Sequence, residues 1–346
     1  MNKNIEEFNK LLNNHFTKSK HSKLSIGIST LDSSYVYHLS PDLDSSQSFG
    51  LGSVSKTFIS TYICELINNK KIDLNLRISD YLSLNPKINY PRIRDLLTHT
   101  SGYHAFIPLL SSMSVLLLNG FNKKNIYKNT SRAWLLKSLK KIKPMKTKYR
   151  YSDYNYAVVA LIIEHIEQRP FKDVMIDYIH NKLGMHNTYY GSYLSTKKDL
   201  YSWLWEDENP FLPSGGLFSN IDDMQIFLNY QIKQQKHLAD AHHRYSKTNL
   251  NKSVYTGFSW NSFINGCFYW HIGGQGYYRS YVLFDTKKQI SLVILATVDV
   301  NVQHVNRLGS SLYRCIKRNN KILFSFLEEY SKQILNQNEL LVSMYD

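Results

Sequence analysis

Acidic residues are scarce in this chain. Its 346 residues include 27 Asp and Glu against 42 Lys and Arg, a formal net charge of +15. A balance this basic attracts nucleic acid, anionic lipid or an anionic polymer in general terms. No nucleic-acid-binding motif accompanies the charge, so nucleic acid is not expected as a partner, while an anionic substrate or polymer stays open. Cysteine is scarcer still. Cys64, Cys267 and Cys315 are odd in number, far apart and without a C-x-x-C pair, which argues against a disulfide framework and against a zinc site. Long hydrophobic runs are missing as well. Nothing approaches the roughly 18–20 uninterrupted apolar residues of a membrane span, and the apolar stretch Pro108–Asn119 reads as a buried helix or cleft wall. Residues 1–16 lack the apolar core of a signal peptide and read as a short amphipathic helix. The expectation is a cytoplasmic protein.

What is present describes a globular protein. Apolar residues make up 43% and charged residues 20%, an ordinary mixture for a packed domain. The length suffices for a large core in one big domain or two lobes. Lys23–Ser40 shows period-two alternation at Ile26, Ile28, Val36 and His38, two strands joined at Asp32–Ser34. The block from about 77 to 245 is mainly helical, with helices expected at Pro91–Gly102, Ser131–Ile142, Asn155–Gln168, Phe171–Leu183 and Asn220–Ile232. Ser219 is the expected N-cap of the last. From Val254 strands return in TGFSW, CFYWHIG, YYRSYVLFD and ISLVILATVD, and helices close the chain near 301–317 and after 321. Strands, a helical block and strands again imply one sheet assembled from both chain ends. The lobes are 1–76 together with 246–346, and an inserted helical lobe at 77–245, with a cleft between them.

The stretch FGLGSVSKTFISTYICELI (Phe49–Ile67) carries the chemistry. Phe58, Ile59, Tyr62, Ile63, Leu66 and Ile67 recur at helical spacing, so a helix opens directly after Gly52. Ser53 and Lys56 lie one turn apart on it, where a hydroxyl and an amine can meet. The helix N-terminus offers unpaired N–H groups to an oxyanion. Nucleophile, base and oxyanion site thus fit within one turn. The S-x-x-K pattern recurs at Ser138–Lys141 and Ser195–Lys198. Those two lie in lysine-rich polar surroundings and read as solvated surface.

Six segments in order extend the pattern: GSVSK at 52–56, IRDLLTHTSG at 93–102, YSDYNYAVVALIIE at 151–164, LGMHNT at 183–188, PSGGLFSNIDDM at 213–224 and HIGGQGYYRS at 271–280. Together they resemble the serine β-lactamase and penicillin-binding-protein superfamily, nearest to class C β-lactamases and their esterase and D-aminopeptidase relatives. The resemblance implies an α/β (α+β) fold of the β-lactamase/transpeptidase type, an antiparallel sheet flanked by helices with an inserted all-helical lobe. It implies Ser53 as the acylated nucleophile, Lys56 as its neighbouring base and Tyr151 as the tyrosine that shuttles the serine proton. It further implies His271-Ile272-Gly273 at the family's K-T-G strand, and an oxyanion hole from the N–H groups of Ser53 and Gly274. No metal or organic cofactor is needed for such chemistry.

Two departures shape the expected function. Asp153 stands where the family usually has Asn, which sets a carboxylate near Lys56 and favours its charged form. On this reading Lys56 serves as a cation that lowers the Tyr151 pKa, and Tyr151 carries the base role. His271 stands where the family has lysine, and an ordinary histidine is mostly neutral at pH 7. That weakens recognition of a substrate carboxylate and favours a small-molecule ester, amide or D-amino-acyl substrate. The expected function is therefore a serine hydrolase of esterase or D-aminopeptidase type. A β-lactamase or D,D-peptidase, or a non-catalytic binding or assembly protein retaining the fold, are the alternatives. His99 reads as structural, His242 and His243 as a solvated loop. The basic run Lys137–Arg150 reads as a solvated face, placed to steer an anionic substrate.

Overall fold

The computed structural model describes residue 10 and residues 23–38, 43–103, 125–145, 148–191, 203–298 and 301–318. The expected N-terminal helix, the segment 108–119, the Ser195–Lys198 pair and the tail from 321 fall outside the described residues.

β1 (Lys23–Ser29) and β2 (Ser34–His38) form the expected hairpin. β3 (Phe49–Gly50) leads into a 3-10 turn at Gly52–Val54 and then α1 (Ser55–Asn68). The α-helix thus opens two residues later than the sequence suggests. Gly52 takes a left-handed φ of 52°, and Val54 N–H bonds three residues back to Leu51 O, so Ser53 belongs to a tight turn in front of the helix. α2 (Ile93–Leu97) is shorter than expected and begins after Arg92 rather than at Pro91. α3 (Arg132–Leu139) and α4 (Asp153–Glu167) follow, each capped by a serine side chain, Ser131 and Ser152. α5 (Phe171–Asp177) runs on as a π-helical turn to Lys182. β4 (Tyr189–Tyr190), α6 (Leu212–Gly215) and β5 (Leu217–Ser219) lead to α7 (Ile221–Lys233). Its N-cap is Asn220, not Ser219: the Asn220 side chain accepts from Asp223 N–H, while Ser219 is committed to β5.

After α8 (Ala239–His242), six strands and a helix complete the described residues. They are β6 (Ser246–Lys247), β7 (Val254–Thr256), β8 (Asn261–Phe263), β9 (Phe268–Gln275), β10 (Tyr278–Asp285), β11 (Ile290–Thr297) and α9 (Val302–Arg318). TGFSW is not a strand beyond Thr256. Gly257 to Trp260 turn the chain, with Ser259 at φ 63°, and Gly257 N–H bonds to Trp260 O.

The eight-stranded sheet is ordered β2-β1-β11-β10-β9-β8-β7-β6, with neighbouring strands antiparallel throughout. β11 is buried along its whole length, which explains its unbroken apolar run. Val293 and Leu295 face one core; Leu292, Ile294 and Ala296 face the other with Val305, Leu308 and Leu312 of α9. α7 packs against β1, β10 and β11 on the first face. Gly309 permits close approach on the second, since a Cβ there would stand 2.4 Å from the Tyr281 ring. This is a mixed α/β fold with an antiparallel sheet between helical layers. The two-lobe division stays a proposal; α7, from the 77–245 block, sits on the sheet.

His242 corrects the solvated-loop expectation. It is buried at the end of α8, its ring nitrogen 3.0 Å from the Gln231 side-chain oxygen, and burial pushes its imidazole down to about 3. The unfolded chain protonates this residue near pH 6.5, the folded chain only near 3. Its contribution to stability is therefore intact above about 6.5 and drains as pH falls towards 3. His242→Gln should flatten the dependence of the urea midpoint on pH across that window by up to one proton, about 1.4 kcal/mol per pH unit. An unaltered slope would contradict the assignment.

Candidate active site

The Ser53 turn lies directly against β9. A Cβ on Gly52 would stand 2.4 Å from Gly274 N, and one on Gly273 would stand 2.0 Å from Leu51 O. No side chain fits between these backbones, so glycine is required at both positions. Ser280 of β10 completes the seam by donating its hydroxyl to Leu51 O at 2.7 Å. The N–H groups of Ser53 and Gly274 belong to two backbones pressed together here.

α1 presents Lys56 from beneath. The helix is buried almost all round, and its polar side chains are satisfied internally. Ser55 donates to Gly52 O and accepts from Leu217 N–H. Lys56 is fully buried. Its Nζ lies 3.1 Å from Ser53 Oγ, 2.6 Å from Ser214 O and 2.7 Å from Asp153 Oδ1. Two hydrogen bonds and one ion pair together hold the ammonium away from water.

α4 supplies the other wall. Tyr151 stands just before it and donates its hydroxyl to Ser53 Oγ at 2.7 Å. Asp153 is its first residue and turns towards Lys56, with Tyr127 donating to its second oxygen. Burial, and then the Asp153 carboxylate, push the Tyr151 phenol well above its ordinary value. This corrects the expectation that Lys56 lowers the Tyr151 pKa. The Asp153 charge faces the ammonium and cancels its effect on the phenol, which is held protonated and donates to Ser53.

His271 lies in β9, buried, with Nδ1 2.6 Å from Ser259 O. A carbonyl only accepts, so Nδ1 carries the hydrogen. Burial, then Lys56, push the imidazole down to about 3, so the ring is neutral. His99 ends α2 at φ 57°. Its Nδ1 accepts from Ser152 N–H at 3.1 Å, and its ring packs 4.5 Å from that of Tyr151. Burial and Lys56 push it well below the ordinary histidine value, so it supports the tyrosine as a neutral ring, as a structural residue should.

Ser53, half-buried, opens with Tyr151, His271, Gly273 and Gly274 onto a cavity of about 1150 Å³. The described residues lining it include Arg279, Arg314 and Lys317 and no Asp or Glu. Lys137, Lys140, Lys141, Lys143 and Lys148 of the basic run are exposed. Among the described residues, no three His, Cys, Asp or Glu converge on a metal position, the three cysteines are free, and no helix is long and apolar enough to cross a membrane. Sequence reasoning missed Tyr127 and the Ser214 carbonyl. Neither bears a local signal, since both reach the site only through the packing of distant segments.

Fold and site together are those of the serine β-lactamase and penicillin-binding-protein superfamily. Residues 40–309 match the family described as Beta-lactamase, and the chain belongs to that family. Protein flp of Staphylococcus aureus is 22% identical over 309 residues, covering 82% of this chain and 60% of its own length. A putative penicillin-binding protein, PbpX of Bacillus subtilis, is 28% identical over 154 residues, 44% of this chain and 35% of its own. The chain thus spans 60% or less of these curated relatives. A class C β-lactamase in complex with cefoxitin superposes with a TM-score of 0.75 at 16% identity, over 90% of this chain and 98% of that one. A β-lactamase/D-alanine carboxypeptidase from Pseudomonas syringae gives 0.71 at 18%, over 91% and 97%.

Gly273→Ala should disturb the Ser53–β9 seam without emptying the core. A displacement of about 1 Å is expected to lower Ser53 acylation on the order of 100-fold, measured as the rate of fluorophosphonate labelling, with circular dichroism unchanged. Labelling at the wild-type rate would show that the seam tolerates a side chain.

Proposed function

We propose that this chain is a serine hydrolase that acts through a covalent acyl-enzyme on an ester or amide, in the manner of an esterase or D-aminopeptidase. The observation that carries the reading is Ser53 Oγ, half-buried on the cavity and held by both the Tyr151 hydroxyl and the Lys56 ammonium. Ser53 attacks the acyl carbon as its hydroxyl proton passes into the Lys56–Asp153 pair, and the N–H groups of Ser53 and Gly274 receive the oxyanion. Tyr151, protonated and 2.7 Å from Ser53 Oγ, delivers a proton to the leaving group. Water then hydrolyses the ester by the reverse path.

The neutral His271 supports ester and amide substrates over those anchored by a carboxylate next to the scissile bond. It offers a ring without charge where the superfamily offers an ammonium. Arg279, Arg314 and Lys317, with no acid among the cavity's described lining residues, suit a substrate that carries an anionic group, including a polymer. A second reading, β-lactamase or D,D-peptidase, is favoured by the kinship itself, since the matched relatives are named for those activities. A binding protein that has lost catalysis is disfavoured by the complete Ser53–Lys56–Tyr151 set.

A fluorophosphonate probe should add one adduct to the Ser53 peptide of the wild type and none to Ser53→Ala, read by mass spectrometry. In a panel of p-nitrophenyl esters, D-amino-acid amides and nitrocefin, the esters or amides should turn over at least about tenfold faster than nitrocefin, a margin expected of pocket chemistry. Nitrocefin as the best substrate would select the second reading. A folded wild type with no adduct would select the binding protein.

A further inference from the structure

The Lys56 ammonium has no free lone pair. Its Nζ donates to Ser53 Oγ and Ser214 O and forms an ion pair with Asp153 Oδ1, and an ammonium cannot take the Ser53 proton. Tyr151 cannot either, because its hydroxyl is itself donating to Ser53. Among the groups that touch this cluster, Ser214 contributes a backbone carbonyl and Ser53 is the group to be deprotonated. The acceptor that lies directly against the Lys56 Nζ and can hold a proton is the Asp153 carboxylate. The aspartate is prepared for it. Tyr127 donates to Oδ2 and leaves Oδ1 turned to Lys56. Tyr127 is itself clamped by a ring stack on Phe211 at 4.2 Å and by Asn209, which donates to its carbonyl at 2.8 Å.

We propose that Asp153 is the terminal proton acceptor for Ser53, acting through Lys56. The inference rests on the reading of Ser53 as nucleophile. Lys56 passes one Nζ proton across 2.7 Å to Asp153 Oδ1, an N–H bond breaking and an O–H bond forming. The freed amine lone pair rotates towards Ser53 and accepts the hydroxyl proton as Oγ bonds to the acyl carbon. The carbonyl π electrons move onto oxygen. When the adduct collapses, the bond to the leaving group breaks. Tyr151 gives that group its proton and is reprotonated by Lys56, which recovers one from Asp153. The sum is transfer of the Ser53 proton to the leaving group, with Asp153, Lys56 and Tyr151 restored. Asp153 is thus a positioning residue whose charge state sets what Lys56 can do, and the familiar asparagine at this position could accept no such proton.

The groups facing Asp153 are Lys56 from α1, Tyr127 from the turn before α3, and Tyr151 at the entrance to α4. His99 and His271, kept neutral by burial and by Lys56, also face the cluster, and His271 meets the Ser53 backbone as well.

The test measures the rate of Ser53 labelling by a fluorophosphonate against pH for the wild type, Asp153→Asn and Tyr127→Phe, with thermal melts to establish folding. Asp153→Asn should still label at Ser53 but on the order of 100-fold more slowly at pH 7. Its rate should climb about tenfold per pH unit on the alkaline side, where Lys56 must lose its proton to solvent, while the wild type is flat there. Tyr127→Phe, which removes the donor that holds Oδ2, should alter the labelling rate and its pH profile. A wild-type rate and profile in Asp153→Asn overturns the relay and leaves the nucleophile reading standing. Should Asp153→Asn fail to fold, a wild-type rate and profile in Tyr127→Phe overturns it equally. A wild type that does not label overturns both.

Discussion

A lysine ammonium is enclosed at the centre of this protein, and much of the surrounding structure follows from keeping it there. Removing such a charge from water costs several kcal/mol unless it is paired and hydrogen-bonded. Lys56 meets that cost with acceptors from three separate parts of the chain: the Ser53 turn, the Ser214 carbonyl of α6 and the Asp153 carboxylate of α4. Removing any one of these acceptors would leave a buried donor unmatched. The cluster therefore constrains the relative placement of α1, α4 and α6 more tightly than apolar packing does, because apolar contacts tolerate sliding and a three-point ion does not.

The same enclosure explains the electrostatics. Lys56 and burial together keep His99 and His271 neutral, and Asp153 with burial keeps the Tyr151 phenol protonated. One buried cation is balanced by one buried anion, and the Tyr151, His99 and His271 side chains beside them are uncharged. Arg279, Arg314 and Lys317 line the same cavity. Relative to the family pattern, His271 takes a cation from the cavity wall and Asp153 adds an anion beside Lys56, so both differences make the surroundings of Ser53 less positive.

Much of the frame was legible along the chain. The first hairpin, the helices after Ser131 and Ser152, and the paired strands at the C-terminal end of the sheet follow from periodicity and turn chemistry, which are local. The misreadings also have local causes. Ser219 and Asn220 are both good caps, and only the pairing of β5 decides between them. Ser-Trp after Thr256 looks like more strand until Ser259 is seen at positive φ with its carbonyl turned to His271. His242 looks solvated beside His243 and Arg244, yet Gln231, eleven residues away in α7, draws it inside.

The residue types at the site, their order and the helical spacing of Ser53 and Lys56 were determined by the sequence alone, because an i, i+3 pair and an apolar stripe are properties of one segment. The charge states were decided by tertiary structure. Asp153 faces Lys56 rather than solvent because α4 packs across α1; Tyr127 reaches that carboxylate from a turn 26 residues upstream; and Ser259 selects the tautomer of His271 from a neighbouring turn. A proton affinity depends on burial and on charges within a few ångströms, and those neighbours are set by the fold, not by the order of residues along the chain.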